Sequence, residues 1–298
     1  MKLTAFLKER FPTGPYLVLV GLTIAVSGAD VLDQAGHPAA LIAGLVLFLL
    51  SFFRLRLFDE IKDYETDIKW RPERIVARGE VSLADIRQWL GVTVLAELLI
   101  LIWMPGPVQF WYLVAATWSV LMYYEFFIPK WLERHFVIYG LTHVMVMAPL
   151  ALAMRGLWLP QSGPALQQDW ALMLGITGAG YLFEIGRKLR RPEEEQQGVD
   201  TYSGKLGQPL ATGWFVLWIG ITWGAFSIAF PQAIWFTGIL AGIAAVYTAF
   251  HIHATALPVQ KPAELLSSIF VTLLYVSILV VINTKHLPGP PPAGGYPW

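Results

Sequence analysis

Long apolar runs alternate with short polar connections along the chain. Nine stretches hold close to the 20 mostly apolar residues that a helix needs to cross the hydrocarbon core of a bilayer. They lie near 14–32, 39–58, 88–105, 108–128, 136–154, 169–189, 210–230, 233–252 and 265–284. The second and sixth run straight into charged segments. The pattern predicts an all-α integral membrane protein with nine transmembrane helices in one bundle.

Lysine and arginine set the orientation, because they accumulate on the cytoplasmic side. With the N-terminus inside, all of the 21 Lys and Arg except Arg155 and Lys285 fall in cytoplasmic connections. Eight or ten spans would scramble that bias. The opening "MKLTAFLKERFPTG" is too polar for the apolar region of a signal peptide. One membrane domain is expected over residues 1–286. The Pro/Gly-rich end, 287–298, reads as a loose tail on the outer face.

Composition agrees. The chain is 56% hydrophobic and 14% charged, against about 25% charged in an ordinary soluble domain. Its 13 Trp and 11 Tyr suit rings that sit at headgroup level. A formal net charge of zero offers nothing to nucleic acid. With no cysteine, disulfides, thiol catalysis and Cys-based zinc sites are excluded. The expected setting is a multi-pass membrane protein with its chemistry facing the cytoplasm, and with no transit peptide evident the expected membrane is a prokaryotic plasma membrane.

That chemistry is concentrated in two connections, about 59–86 and 184–208. In the first, Asp59, Asp63 and Asp67 recur every four residues and are followed by Pro72 and Gly79. Residues four apart share one face of a helix, so the three carboxylates form a stripe about 12 Å long. Ionised groups beside a bilayer cost several kcal/mol unless compensated. Mg²⁺ takes oxygen ligands, usually one or two carboxylates plus substrate phosphates. Arg71, Arg74 and Arg78 lie just beyond and offer planar forks matched to phosphate oxygens. A diphosphate bridged by Mg²⁺ to aspartates and held by arginine is a complete site. The plain alternatives are a solvated acidic helix end, with Lys62 and Lys69 pairing to neighbouring acids, and arginines that meet anionic lipid.

The stretch "RLFDEIKDYETDIKWRPERIVARGEVS" resembles the first aspartate-rich motif of the UbiA superfamily of intramembrane prenyltransferases. That motif has aspartates four apart, then Arg-Pro, then a basic residue and glycine. The family's nine helices and cytoplasmic motifs match the span count and orientation. Its second motif aligns with "YLFEIGRKLRRPEEEQQGVDTYSGKLG". Anchored on Gly198, Thr201 and Gly207, the alignment puts Glu194 at the second aspartate and Arg190 at the first. The motif is therefore degenerate, and Glu184, one turn before Lys188, is a candidate replacement.

The resemblance implies an allylic isoprenyl diphosphate as substrate, Mg²⁺ as cofactor and a lipophilic or aromatic acceptor. Asp59, Asp63, Asp67, Glu184 and Glu194 would hold metal. Arg71, Arg74, Arg78, Lys188 and Lys205 would add fixed positive charge. Aromatic faces attract a carbocation; the spans supply Trp118, Tyr123, Tyr124, Tyr139, Tyr181, Phe183 and Tyr247. Tyr139 and Tyr181 stand out by their spacing from His143 and Glu184. Ionisable groups inside a span are functional candidates, so His143 is a proton acceptor or else a neutral histidine bonded to a carbonyl. His251 and His253, two apart, do not share a helical face and make a poor metal pair. A membrane terpene cyclase and a small-molecule transporter remain as alternatives, although transporters place their acids near the midplane.

Overall fold

The structure is a computed structural model that describes residues 2–31, 38–160, 167–251 and 262–285. Among these residues there is no strand. Helices α1 (Lys2–Arg10), α2 (Thr13–Ser27), α3 (Pro38–Lys62) and α4 (Tyr64–Trp70) lead to α5 (Leu83–Leu101) and α6 (Gly106–Tyr123). Then come α7 (Pro129–Arg134), α8 (Phe136–Val144), α9 (Met147–Gly156) and α10 (Gln167–Lys188). The chain continues with α11 (Tyr202–Leu206), α12 (Gln208–Ala229), α13 (Ile234–His251) and α14 (Pro262–Lys285). Proline opens α3, α7 and α14, where its missing N–H removes no helical bond. Pro149 does the opposite. Its ring excludes the usual bond to the carbonyl four residues back, and the helix breaks at Met145–Val146, between α8 and α9.

Five segments among the described residues are long and apolar enough to cross a bilayer: Pro38–Lys62, Phe136–Gly156, Gln208–Ala229, Pro231–Ala249 and Pro262–Thr284. The molecule is an integral membrane protein. The other expected spans also coincide with helices. However, α2 has only 15 residues, and α5 and α10 carry charges. Two of those charges, Glu97 and Asp169, are paired inside the bundle. Arg54 of α3 donates to both oxygens of Glu97 of α5, at 3.0 and 2.8 Å, and also to Ser119 of α6.

Two apolar clusters fill the bundle. One joins α10, α12 and α14 around Tyr181, Phe215, Phe226 and Tyr275. The other joins α2, α3, α6 and α9 around Leu47, Phe48, Tyr112 and Met154. A third, smaller cluster (Phe6, Leu57, Ile75, Val76, Val81 and Ile86) sits beneath the first acidic connection. That connection is thereby folded onto α1. Glu9 accepts from the Ile75 N–H at 2.8 Å, and Arg10 donates to Glu60 at 2.7 Å.

At the far end of the bundle, Arg155 ties three helices. It donates to Asp30 at 2.5 and 2.8 Å, to Asp169 at 3.0 Å and to the Ser27 carbonyl at 2.8 Å. This explains one exception to the lysine and arginine bias, since the charge is consumed inside the fold. The expected tail, His253 and Lys261 lie outside the described residues, as does the side chain of His251.

Candidate functional site

The aspartate stripe survives as a backbone ladder with a bend. Asp63 N–H donates to the Asp59 carbonyl, Asp67 N–H to the Asp63 carbonyl and Arg71 N–H to the Asp67 carbonyl, each at 2.8 Å. Asp63 itself has φ −86° and ψ 0°, which separates α3 from α4 without losing the one-turn spacing.

The three carboxylates have different surroundings. Asp59 is exposed, and its nearest cation is Arg56 at 3.8 Å. It also lies within electrostatic reach of Lys62, Glu184, Arg187 and Lys188. Asp63 is half-buried; burial first, then the charge of Asp59, pushes its carboxyl up to about 6. Asp67 is buried and accepts two hydrogen bonds from Arg74, at 2.8 and 2.6 Å, with Arg71 at 3.6 Å. The arginines therefore divide. Arg71 and Arg74 close the end of the ladder, while Arg78 turns to Glu9 at 2.9 Å and Glu80 at 2.6 Å.

The second connection meets the first. Gly198 has φ +77°, and a Cβ there would lie 2.5 Å from the ring of Trp70 in α4. Glycine is needed at that position on both counts. Within α10, Glu184 accepts from Arg187 at 2.6 Å and pairs with Lys188 at 2.7 Å. The Lys188 ammonium lies over the rings of Phe136 and Tyr139, at 5.2 and 6.0 Å. Glu184 is thus the second-motif acid that shares the ladder's electrostatic surroundings. Glu194 instead folds back on Arg191, accepting from its backbone N–H at 3.2 Å and its guanidinium at 3.0 Å. Lys205 pairs with Asp200 at 3.0 Å on the exposed side of the connection. Glu195, the last of the Glu193–Glu195 run, organises this loop by accepting from Thr201 and Ser203 at 2.8 and 2.7 Å.

Beside the ladder is a small aromatic box. Tyr139 stacks on His143 with centroids 4.0 Å apart. His143 Nδ1 lies 2.8 Å from the Tyr139 carbonyl and must donate to it, whereas Nε2 is buried with no partner. Phe126 lies steeply inclined to both Trp118 and His143, with centroids 5.3 and 6.2 Å away. Tyr181 is not part of this box. It is fully buried, its hydroxyl accepting from Tyr202 at 2.9 Å and Trp214 at 3.2 Å.

The link between α6 and α7 is unexpected. Glu125, Phe126 and Phe127 have φ values of 48°, 53° and 61°. The left-handed conformation costs a non-glycine residue roughly 1–2 kcal/mol. With no Gly or Asn to mark it, the turn leaves no trace in the sequence. It brings Glu125 to 3.1 Å from Lys62, which also donates to the Tyr139 hydroxyl at 2.8 Å. Lys62 thus bypasses the neighbouring acids, and Lys69 lies over the Trp70 ring at 4.7 Å.

Among the described residues, no group of three or more His, Asp or Glu side chains is close enough to hold a metal unaided. Asp59 and Asp63 nonetheless present hard oxygen donors one turn apart, Asp63 in no ion pair among the described residues and Asp59 with only the distant Arg56 at 3.8 Å, a donor set suited to Mg²⁺ that completes its shell with phosphate and water.

A membrane bundle with an acidic, arginine-closed mouth is the class that this fold and site define. The chain has the UbiA fold. An apo UbiA homologue from Aeropyrum pernix K1 superposes with TM-score 0.67 and 10% identity, over 91% of this chain and 98% of that one. A digeranylgeranylglyceryl phosphate synthase gives 0.62 and 13%, over 95% and 99%. A UbiA homologue from Archaeoglobus fulgidus bound to DMAPP and Mg²⁺ gives 0.58 and 13%, over 93% and 99%. No protein-family model matches the sequence, and no curated protein does either. The resemblance drawn from the first aspartate motif thus holds for the fold.

Proposed function

We propose that this protein is a Mg²⁺-dependent membrane prenyltransferase acting on an allylic isoprenyl diphosphate and a lipophilic or aromatic acceptor. The observation that carries it is the pair Asp59 and Asp63, one turn apart, with Asp63 in no ion pair among the described residues, Asp59 held only loosely by Arg56 at 3.8 Å, and the charges of Glu184, Arg187 and Lys188 within reach of Asp59. A neighbour of the same fold holds DMAPP and Mg²⁺. The lysine and arginine bias supports a nine-pass topology with this mouth in the cytoplasm.

Asp59 and Asp63 would hold the metal, which when bound neutralises charge on the leaving diphosphate. Asp67 joins them only if Arg74 lets go; in its resting place it presents Arg71 and Arg74 to the phosphates. Lys188 and Arg187 add positive charge from α10, balanced in the free protein by Glu184. The bond between the allylic carbon and the diphosphate oxygen breaks, and the diphosphate leaves with the electron pair. Tyr139, Phe126 and Trp118 offer ring faces to the cation. As the acceptor bonds to the allylic carbon, the proton it loses goes to the free lone pair on His143 Nε2. The Nδ1–H bond to the Tyr139 carbonyl keeps that lone pair available. Glu194, Arg78 and Lys205 would act only after breaking their present pairs.

The test is incubation of the purified protein in lipid nanodiscs with Mg²⁺ and isoprenyl diphosphates of graded length, with and without membrane lipid extract. Diphosphate release with a mass increase of one prenyl unit on an extracted lipid is the expected result. A cyclic hydrocarbon or alcohol formed without acceptor would make the protein a cyclase. Absence of diphosphate release at every chain length would refute the enzymatic reading.

A further inference from the structure

Lys62 is the cation nearest in sequence to the ladder, three residues after Asp59 and one before Asp63. At three-residue spacing on a helix, Asp59 and Lys62 are natural partners. Its charge does reach both carboxylates. Yet the ammonium is turned across the mouth to Glu125, at 3.1 Å, and to the Tyr139 hydroxyl, at 2.8 Å. Lys62 and Glu125 are each 22% exposed at the side chain, so the pair is sheltered from solvent. Among the described residues no ion pair joins Lys62 to Asp59 or Asp63.

The element that captures Lys62 is the left-handed turn. Three successive non-glycine residues at positive φ are a costly way to reverse a chain, and such outliers gather where function over-determines them. Here the turn projects Glu125 into the mouth while Phe126 anchors against Trp118 and His143. A lysine freed from Glu125 would swing onto the ladder and occupy the ground where a divalent cation must bind.

We infer that Glu125 is a positioning residue that draws Lys62 away from Asp59 and Asp63 and so keeps both carboxylates open to a divalent cation. The inference rests on the magnesium-dependent function proposed above and deepens it. Glu125 acts on the metal site through Lys62, without touching metal or substrate.

The test uses the full-length protein and Mn²⁺ as a paramagnetic probe, with free Mn²⁺ counted by electron paramagnetic resonance in the absence of substrate. Glu125→Gln should weaken Mn²⁺ binding about two- to five-fold, the scale of one semi-exposed charge contact. Lys62→Gln should bind at least as tightly as the wild type, and the double variant should regain wild-type affinity. Should Glu125→Gln fail to fold, Tyr139→Phe removes the other tether and should shift affinity in the same direction. An equal loss from Glu125→Gln with and without Lys62 would show a merely structural role and overturn the inference. Unchanged binding in Glu125→Gln would do the same. A wild-type protein that takes up no Mn²⁺, with or without an isoprenyl diphosphate, would instead overturn the magnesium-dependent function itself.

Discussion

Tyr139 and His143 stack ring on ring at 4.0 Å, and the backbone carbonyl of Tyr139 holds the Nδ1 proton of His143. One residue thereby fixes both the plane and the tautomer of the other, and Nε2 is left as a base. Replacing His143 by Phe keeps the stack and removes the base. General-base catalysis is typically worth about 10²- to 10⁴-fold. Product formation should fall by that order, while binding of the isoprenyl diphosphate, measured by equilibrium dialysis, stays near the wild-type value.

Asp63 makes metal binding sensitive to mildly acid pH. Its carboxyl is raised from 3.8 to about 6, so between those values it is protonated where an ordinary aspartate is charged. A protonated carboxyl does not ligate a cation. Mn²⁺ affinity should therefore fall as pH drops below about 6 and level off above it. Asp63→Asn should weaken affinity and flatten that part of the profile. The stability sign follows from the same shift. Folding favours the protonated group, so the metal-free protein should lose stability as pH rises from about 4 through 6, and Mg²⁺ should restore it. Thermal unfolding with and without Mg²⁺ across that window reads both effects.

Arg155 should matter for stability rather than turnover. It satisfies Asp30 and Asp169 at the end of the bundle away from the ladder. Breaking a buried pair by removing one partner costs about 3–5 kcal/mol, because the remaining charge is stranded. Arg155→Met should lower the unfolding temperature sharply. Activity per folded molecule should be unchanged, and Asp30→Asn with Asp169→Asn in the same background should recover part of the loss.

The absence of native cysteine makes the topology directly measurable. Glu73 is exposed in the first acidic connection, and Pro160 is exposed after α9. Single Glu73→Cys and Pro160→Cys variants should react with impermeant maleimide from opposite sides of sealed vesicles, Glu73→Cys from the cytoplasmic side. Labelling of both from one face would rule out the nine-pass arrangement.

Apolar runs and the spacing of Asp59, Asp63 and Asp67 were legible without coordinates, because both are local. A span depends on about 20 consecutive residues, and a carboxylate ladder depends only on the helical repeat. Those features determined the helical membrane bundle and its acidic mouth. Most of the pairings were not local, and only the tertiary structure decided them. Arg74 takes Asp67, Arg78 goes to α1, Glu184 rather than Glu194 comes near the ladder, and Lys62 crosses to Glu125. Arg74 folds back from seven residues further along the same connection, and the others arrive on another helix or around a turn that no glycine announces. Coulomb attraction acts through space and is blind to sequence distance, so the charge that each carboxylate finally meets is set by how the helices pack.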